Sequence, residues 1–144
     1  MNNSDSEIQS LILDTHILVW YAEGIKLSKQ QADLIDKTRI EKKLFISAIT
    51  VWEISMLSSK GRLVLASPIK EWVNSLLTVS GIKLVDLSSD ILIESSLLPN
   101  YEYKDPADRM IISSARITNS HLMTFDQKII NYANLGYLKL ANVI

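Results

Sequence analysis

Short apolar runs alternate along this chain with longer stretches of helical spacing. "SLIL" at 10–13, "LFIS" at 44–47, "IKLVDL" at 82–87 and "HLMTF" at 121–125 are compact apolar segments bounded by polar residues. Runs of that length predict buried strands. "LGYLKL" at 135–140 is a fifth candidate. Between them, "THILVWYAEG" reads as a helix stopped by Gly24, and "LSKQQADLIDKTRIEKK" as one capped by Ser28. A third helix runs from Ala48 to about Ser59 with Gly61 as its stop, and a fourth is opened by Pro68 and ended near Gly81. "SSDILIESSLL" is closed by Pro99, a helix spans 106–118, and "QKIINYA" follows Asp126. Strands alternating with helices predict an α/β domain with a largely parallel central sheet. One domain covers 1–144, with 1–7 as a flexible N-terminus.

The 144 residues are 47% hydrophobic with only 4 Gly and 3 Pro, which supplies a core and argues against disorder. The net charge of -1 gives no global field for nucleic acid, so contact with RNA or DNA needs a local basic patch. "KTRIEKK" at 37–43 and "KGR" at 60–62 are the densest clusters. The first reads as a solvated helix face, and the second as a candidate RNA contact. With no cysteine, disulfides and thiolate metal sites are excluded. "MNNSDSEIQS" does not read as a signal peptide, and no apolar run reaches the roughly 20 residues of a membrane span. The expected setting is cytoplasmic.

The chemistry-bearing residues are acidic. Asp14 directly follows the first strand and Asp126 the fourth. In a parallel sheet both lie at the carboxyl edge, where sites form, although each also suits a helix N-cap. Glu53 shares a helix face with Ile49, Met56 and Leu57, and a carboxylate there needs a partner. In "KDPADRMIIS", Asp105 fits an N-cap and Pro106 the first helical position. Asp108 shares the face of Ile111, Ile112 and Ala115 and so points toward the sheet. If Asp14, Glu53, Asp108 and Asp126 converge, their like charges require a cation. An all-oxygen donor set suits Mg²⁺ or Mn²⁺. His16 and His121 lack metal-ligand spacing to each other. His16 lines the site or makes a structural hydrogen bond, and His121 reads as structural. Arg109, beside Asp108, reaches either a phosphate or a neighbouring acid. Trp20, Tyr21, Trp52 and Trp72 are either core residues or an interface.

"LILDTHILVWY", "FISAITVWEISMLSSKGRL", "LP" with "DPADRMIISSARI", and "LMTFDQKIINY" occur in order over residues 10–132. Together they resemble PIN-domain ribonucleases of the VapC toxin type. The resemblance implies a three-layer α/β/α fold. It implies a Mg²⁺- or Mn²⁺-dependent endoribonuclease whose acidic metal site is Asp14, Glu53, Asp108 and Asp126. Asp105 then caps the helix or supports the site, and Thr15, Ser47 and Thr124 are supporting or substrate-contacting groups. The resemblance further implies an RNA substrate, a cognate antitoxin and a homodimer. One departure is Tyr103, where this branch often has a histidine. The rival readings are a PIN scaffold that binds without cleaving, a dehalogenase-like phosphatase and a receiver domain. The phosphatase lacks its second aspartate, since His16 stands there, and the receiver has no place for Glu53.

Overall fold

The structure, a computed structural model, describes residues 8–141, so the expected flexible segment 1–7 lies outside the described residues. The five strands are β1 (Leu11–Leu13), β2 (Leu44–Ser47), β3 (Lys83–Val85), β4 (His121–Met123) and β5 (Lys139–Leu140). Seven helices accompany them among the described residues. These are α1 (Thr15–Glu23), α2 (Lys29–Ile40), α3 (Ala48–Ser59), α4 (Ile69–Thr78), α5 (Ser89–Ser96), α6 (Pro106–Ile117) and α7 (Gln127–Asn134). The sheet order is β3-β2-β1-β4-β5 and every pairing is parallel.

Side-chain alternation along the strands divides the core. Leu11 and Leu13 of β1 join Leu44, Ile46 and Met123 on one face, against Ile17, Leu18, Ile35 and Ile54. Ile12 and Leu122 point to the other face, against Ile111, Ile112, Ala115 and Ile129. The sheet is thus covered on both sides, as parallel sheets require, and the α/β/α layering expected from the sequence is present. Truncating a fully buried residue such as Ile12 costs about 2–5 kcal/mol.

Local signals set the helix ends. Ser28 caps α2 through a capping box with Gln31. Gly24 ends α1 with φ +69°, a left-handed turn that glycine adopts without penalty. The topology decides the site. From β1 the chain adds β2 and β3 on one side, then crosses to place β4 and β5 on the other. The switch point lies between β1 and β4, and the crevice beyond their carboxyl ends is the expected binding place.

Candidate active site

Asp14 leaves β1 at this switch point and is 4% exposed. Its backbone N–H donates to the Met123 carbonyl at 3.0 Å, tying it to the end of β4. One carboxylate oxygen accepts from the Thr15 N–H at 2.8 Å and so caps α1. The other accepts from the Thr124 hydroxyl at 2.6 Å. Thr124 Oγ1 in turn accepts from the Asp126 N–H at 3.0 Å. One hydroxyl therefore spaces two acids from two strand ends. Asp126 caps α7 by accepting from the Lys128 N–H at 2.9 Å, and the Lys128 ammonium stands 3.5 Å from it.

Two helices bring further acids over the same edge. Ser47 ends β2 and caps α3, its hydroxyl accepting from the Ile49 N–H at 3.2 Å. Glu53 lies one and a half turns into α3 and accepts from the Thr15 hydroxyl. Because that hydroxyl donates to Glu53, its 2.9 Å contact with Thr50 Oγ1 makes Thr50 the donor. Asp105 caps α6, accepting from the N–H groups of Ala107 at 2.9 Å and Asp108 at 3.2 Å. Pro106 occupies the first helical position. Asp105 is exposed and Asp108 half-buried, as the face assignment from the sequence required.

The electrostatics show that these acids feel one another. Burial first, then the charges of Asp105, Asp14, Asp126 and Glu53, push the Asp108 carboxyl up to about 7. Burial also raises Glu53; the Thr15 hydrogen bond opposes this, and Asp14 and Asp105 add to it. The charges that raise these two carboxyls are those of the other acids at this rim.

Oxygen donors without sulfur fit a hard divalent cation, and Asp14, Asp108, Asp126 and Glu53 are the residues that could hold one. As the side chains stand, no three acidic or histidine groups among the described residues lie close enough to share an ion. Asp14, Asp105 and Asp126 each turn an oxygen toward helix N–H groups.

A family model described as the PIN domain matches residues 11–135. The chain belongs to the PIN-domain family. A curated relative, Ribonuclease VapC22 of Mycobacterium tuberculosis (strain ATCC 25618 / H37Rv), is 27% identical over 121 residues, covering 83% of this chain and 89% of that one. Among solved structures, FitAcB from Neisseria gonorrhoeae superposes with TM-score 0.64 at 18% identity, covering 92% of this chain and 96% of that one. VapBC2 from Rickettsia felis, solved bound to a DNA fragment from its promoter, gives TM-score 0.61 at 22% identity, covering 92% and 97%.

In this PIN domain the structure narrows several readings that the sequence left open. Arg109 turns to backbone carbonyls rather than to a neighbouring acid. Its guanidinium donates to the carbonyls of Ser95 at 2.8 Å, Tyr101 at 3.0 Å and Tyr103 at 2.6 Å. It braces the loop before α6, because a planar fork satisfies several carbonyls at once. His16 is structural at Nε2, which accepts from the Phe125 N–H at 3.2 Å. The ring proton is thereby fixed on Nδ1, 3.6 Å from Asp14 Oδ2. Trp20, Tyr21 and Trp72 pack on the core, whereas Trp52 is 57% exposed. Trp52 lines an apolar groove of about 580 Å³ with Ile49, Leu87 and Pro106, edged by Glu53 and Asp105. Lys60 and Arg62 follow the C-terminal end of α3. Lys60 lies seven residues beyond Glu53, about 10 Å along the axis at 1.5 Å per residue.

Two contributors escaped the sequence reading. Thr50 sits three residues before Glu53, and that spacing alone was the available signal. Tyr101 is buried among aromatics, and burial followed by the charge of Asp108 raises its hydroxyl well above the usual range.

Proposed function

We propose that this PIN domain is a Mg²⁺- or Mn²⁺-dependent endoribonuclease. The observation that supports the reading is the buried switch-point acid Asp14, whose charge, with those of Asp105, Asp126 and Glu53, adds to burial in raising the Asp108 carboxyl to about 7. Such a group of like charges is stabilised by a divalent cation. When bound, the ion polarises a water and offsets charge on the scissile phosphate. Asp14 and Asp108 would hold it, and Asp126, spaced by Thr124, would complete or orient the set. Glu53, which accepts from the Thr15 hydroxyl, would hold the attacking water or a second, weaker ion. Hydrolysis leaves a 5′-phosphate and a 3′-hydroxyl. The 27% identity to a ribonuclease supports RNA as substrate.

We further read the protein as the toxin of a toxin–antitoxin pair in the cytoplasm, held by an antitoxin and forming a homodimer. Its support is the likeness to toxin–antitoxin complexes, including one from Klebsiella pneumoniae with TM-score 0.59 at 20% identity, covering 94% of this chain and 100% of that one. No helix among the described residues is long and apolar enough to cross a membrane.

The test is cleavage of total cellular RNA by purified protein with Mn²⁺ or Mg²⁺, mapping new 5′-phosphate ends. Discrete cuts that vanish with EDTA and in Asp108→Asn are expected. A folded, metal-loaded protein that cuts nothing would move the reading to a PIN scaffold that binds without cleaving.

A further inference from the structure

The acidic rim repels a polyanion, so substrate must be captured beside it. Two flanks of the rim differ. On the α3 and α6 side lies the apolar groove of Trp52, edged by Glu53 and Asp105. Its border charges repel phosphate. On the α1 and α7 side, three aromatic rings join in a continuous patch.

Phe125 stands between Thr124 and Asp126 and is 44% exposed. Its backbone N–H is held by His16 Nε2, and its ring lies stacked on His16 with centroids 6.4 Å apart. Trp20 packs against both, 5.5 Å from Phe125 and 5.1 Å from His16. Trp20 is anchored in the core cluster below the sheet, so the patch has a fixed floor. One cation lies over it, and a second stands beside Asp126. The Lys26 ammonium lies 5.1 Å over the Trp20 ring, presented by a residue with φ +62°, a left-handed conformation unfavourable for a side chain of this kind. Lys128 stands beside Asp126, with its ammonium 5.7 Å over the exposed ring of Tyr103.

We propose that Phe125, backed by His16 and Trp20, is a stacking platform for one unpaired base of a single-stranded RNA, next to the scissile phosphate. Lys26 takes a flanking phosphate. The proposal rests on the ribonuclease reading and deepens it. A base has a face for an exposed ring whatever its identity, and stacking with bordering cations is how single strands are held. A paired base inside a duplex has no free face to offer. The platform therefore selects unpaired RNA without reading its sequence.

The test uses full-length protein carrying Asp108→Asn to prevent cleavage, in Mg²⁺, with a fluorescein-labelled 12-nucleotide single-stranded RNA and a duplex of the same length. Anisotropy reads affinity. Adding Phe125→Ala weakens single-strand binding by about tenfold and leaves duplex binding nearly unchanged, and Phe125→Trp restores it. Lys26→Gln lowers the salt slope of single-strand binding by about 0.7, the loss of one phosphate contact. Circular dichroism checks that each variant is folded. Equal single-strand affinity with and without Phe125→Ala overturns the platform and assigns the patch to protein contact, whether or not the parent chain cuts RNA. A parent chain that neither binds nor cuts RNA overturns the ribonuclease reading and the platform with it.

Discussion

The two ends of α6 carry a half-buried charge each, and the fold treats them oppositely. At the C-terminal end, Arg116 pairs with Glu94 at 3.0 Å and donates to the Tyr137 carbonyl at 2.5 Å. It borders an open cleft of about 330 Å³ with Tyr137 and Lys139. At the N-terminal end, burial first and then the charges of four further acids raise the Asp108 carboxyl to about 7. The helix dipole favours both placements, so it does not explain the difference. A charge that the protein has paired is part of the scaffold. A charge surrounded by its own sign is incomplete without something from outside. That distinction, more than the depth of either depression, is why the proposed site is set at the N-terminal end of α6.

The largest expected effect separates the two ends by activity. Asp108→Asn should lower RNA cleavage by on the order of 10³ or more, the several kcal/mol that a divalent ion contributes to charge stabilisation. Arg116→Gln should leave the turnover number within about twofold while lowering thermal stability by about 5 °C, as expected for losing a partly buried pair. Equal losses of activity in both variants would erase the contrast.

Thr124 offers a sharper probe of how the acids are spaced. Thr124→Val removes the 2.6 Å bond to Asp14 and the acceptor for the Asp126 N–H. It should cost about 1–3 kcal/mol of stability and about 10- to 100-fold in activity. Thr124→Ser should recover most of both, measured by melting and by cleavage rate. Full activity in the valine variant would show that the hydroxyl does not organise the acids.

Stability against pH tests the unpaired charge directly. In the unfolded chain an aspartate titrates near 3.9, and in the folded chain Asp108 titrates at about 7. Protonation therefore favours the fold. The penalty is absent below about pH 4, grows as pH rises toward 7 and is complete above it. In EDTA, Asp108→Asn should raise the melting temperature by about 5 °C at pH 8 and by little at pH 4. A gain independent of pH would mean that the carboxyl is not destabilised by its neighbours. The sign is opposite to that of Arg116→Gln.

The smallest effect concerns the basic cluster at 60–62. The sequence alone made it a candidate RNA contact; Lys60 lies about 10 Å along α3 from Glu53, a little over one Debye length of about 8 Å at physiological salt. Joint replacement of Lys60 and Arg62 by Ala should change the cleavage rate by less than about twofold. A larger drop with a flatter salt dependence would restore the original reading.

The sequence by itself determined the elements and their type. Short apolar runs, a capping serine at 28, Pro106 and Gly24 act through neighbours close along the chain, and the strands and helices fall where these signals put them. It also determined which acids could not face water freely, because the faces of Glu53 and Asp108 follow from helical spacing within their own helices. Only the tertiary structure decided what each polar group meets. That Thr124 bridges Asp14 and Asp126, that Thr50 reaches Thr15, and that Arg109 is spent on three carbonyls depend on partners brought together by strand order. Asp14 and Thr124 are 110 residues apart in the chain, and no local pattern encodes that meeting. Packing β1 beside β4 creates it.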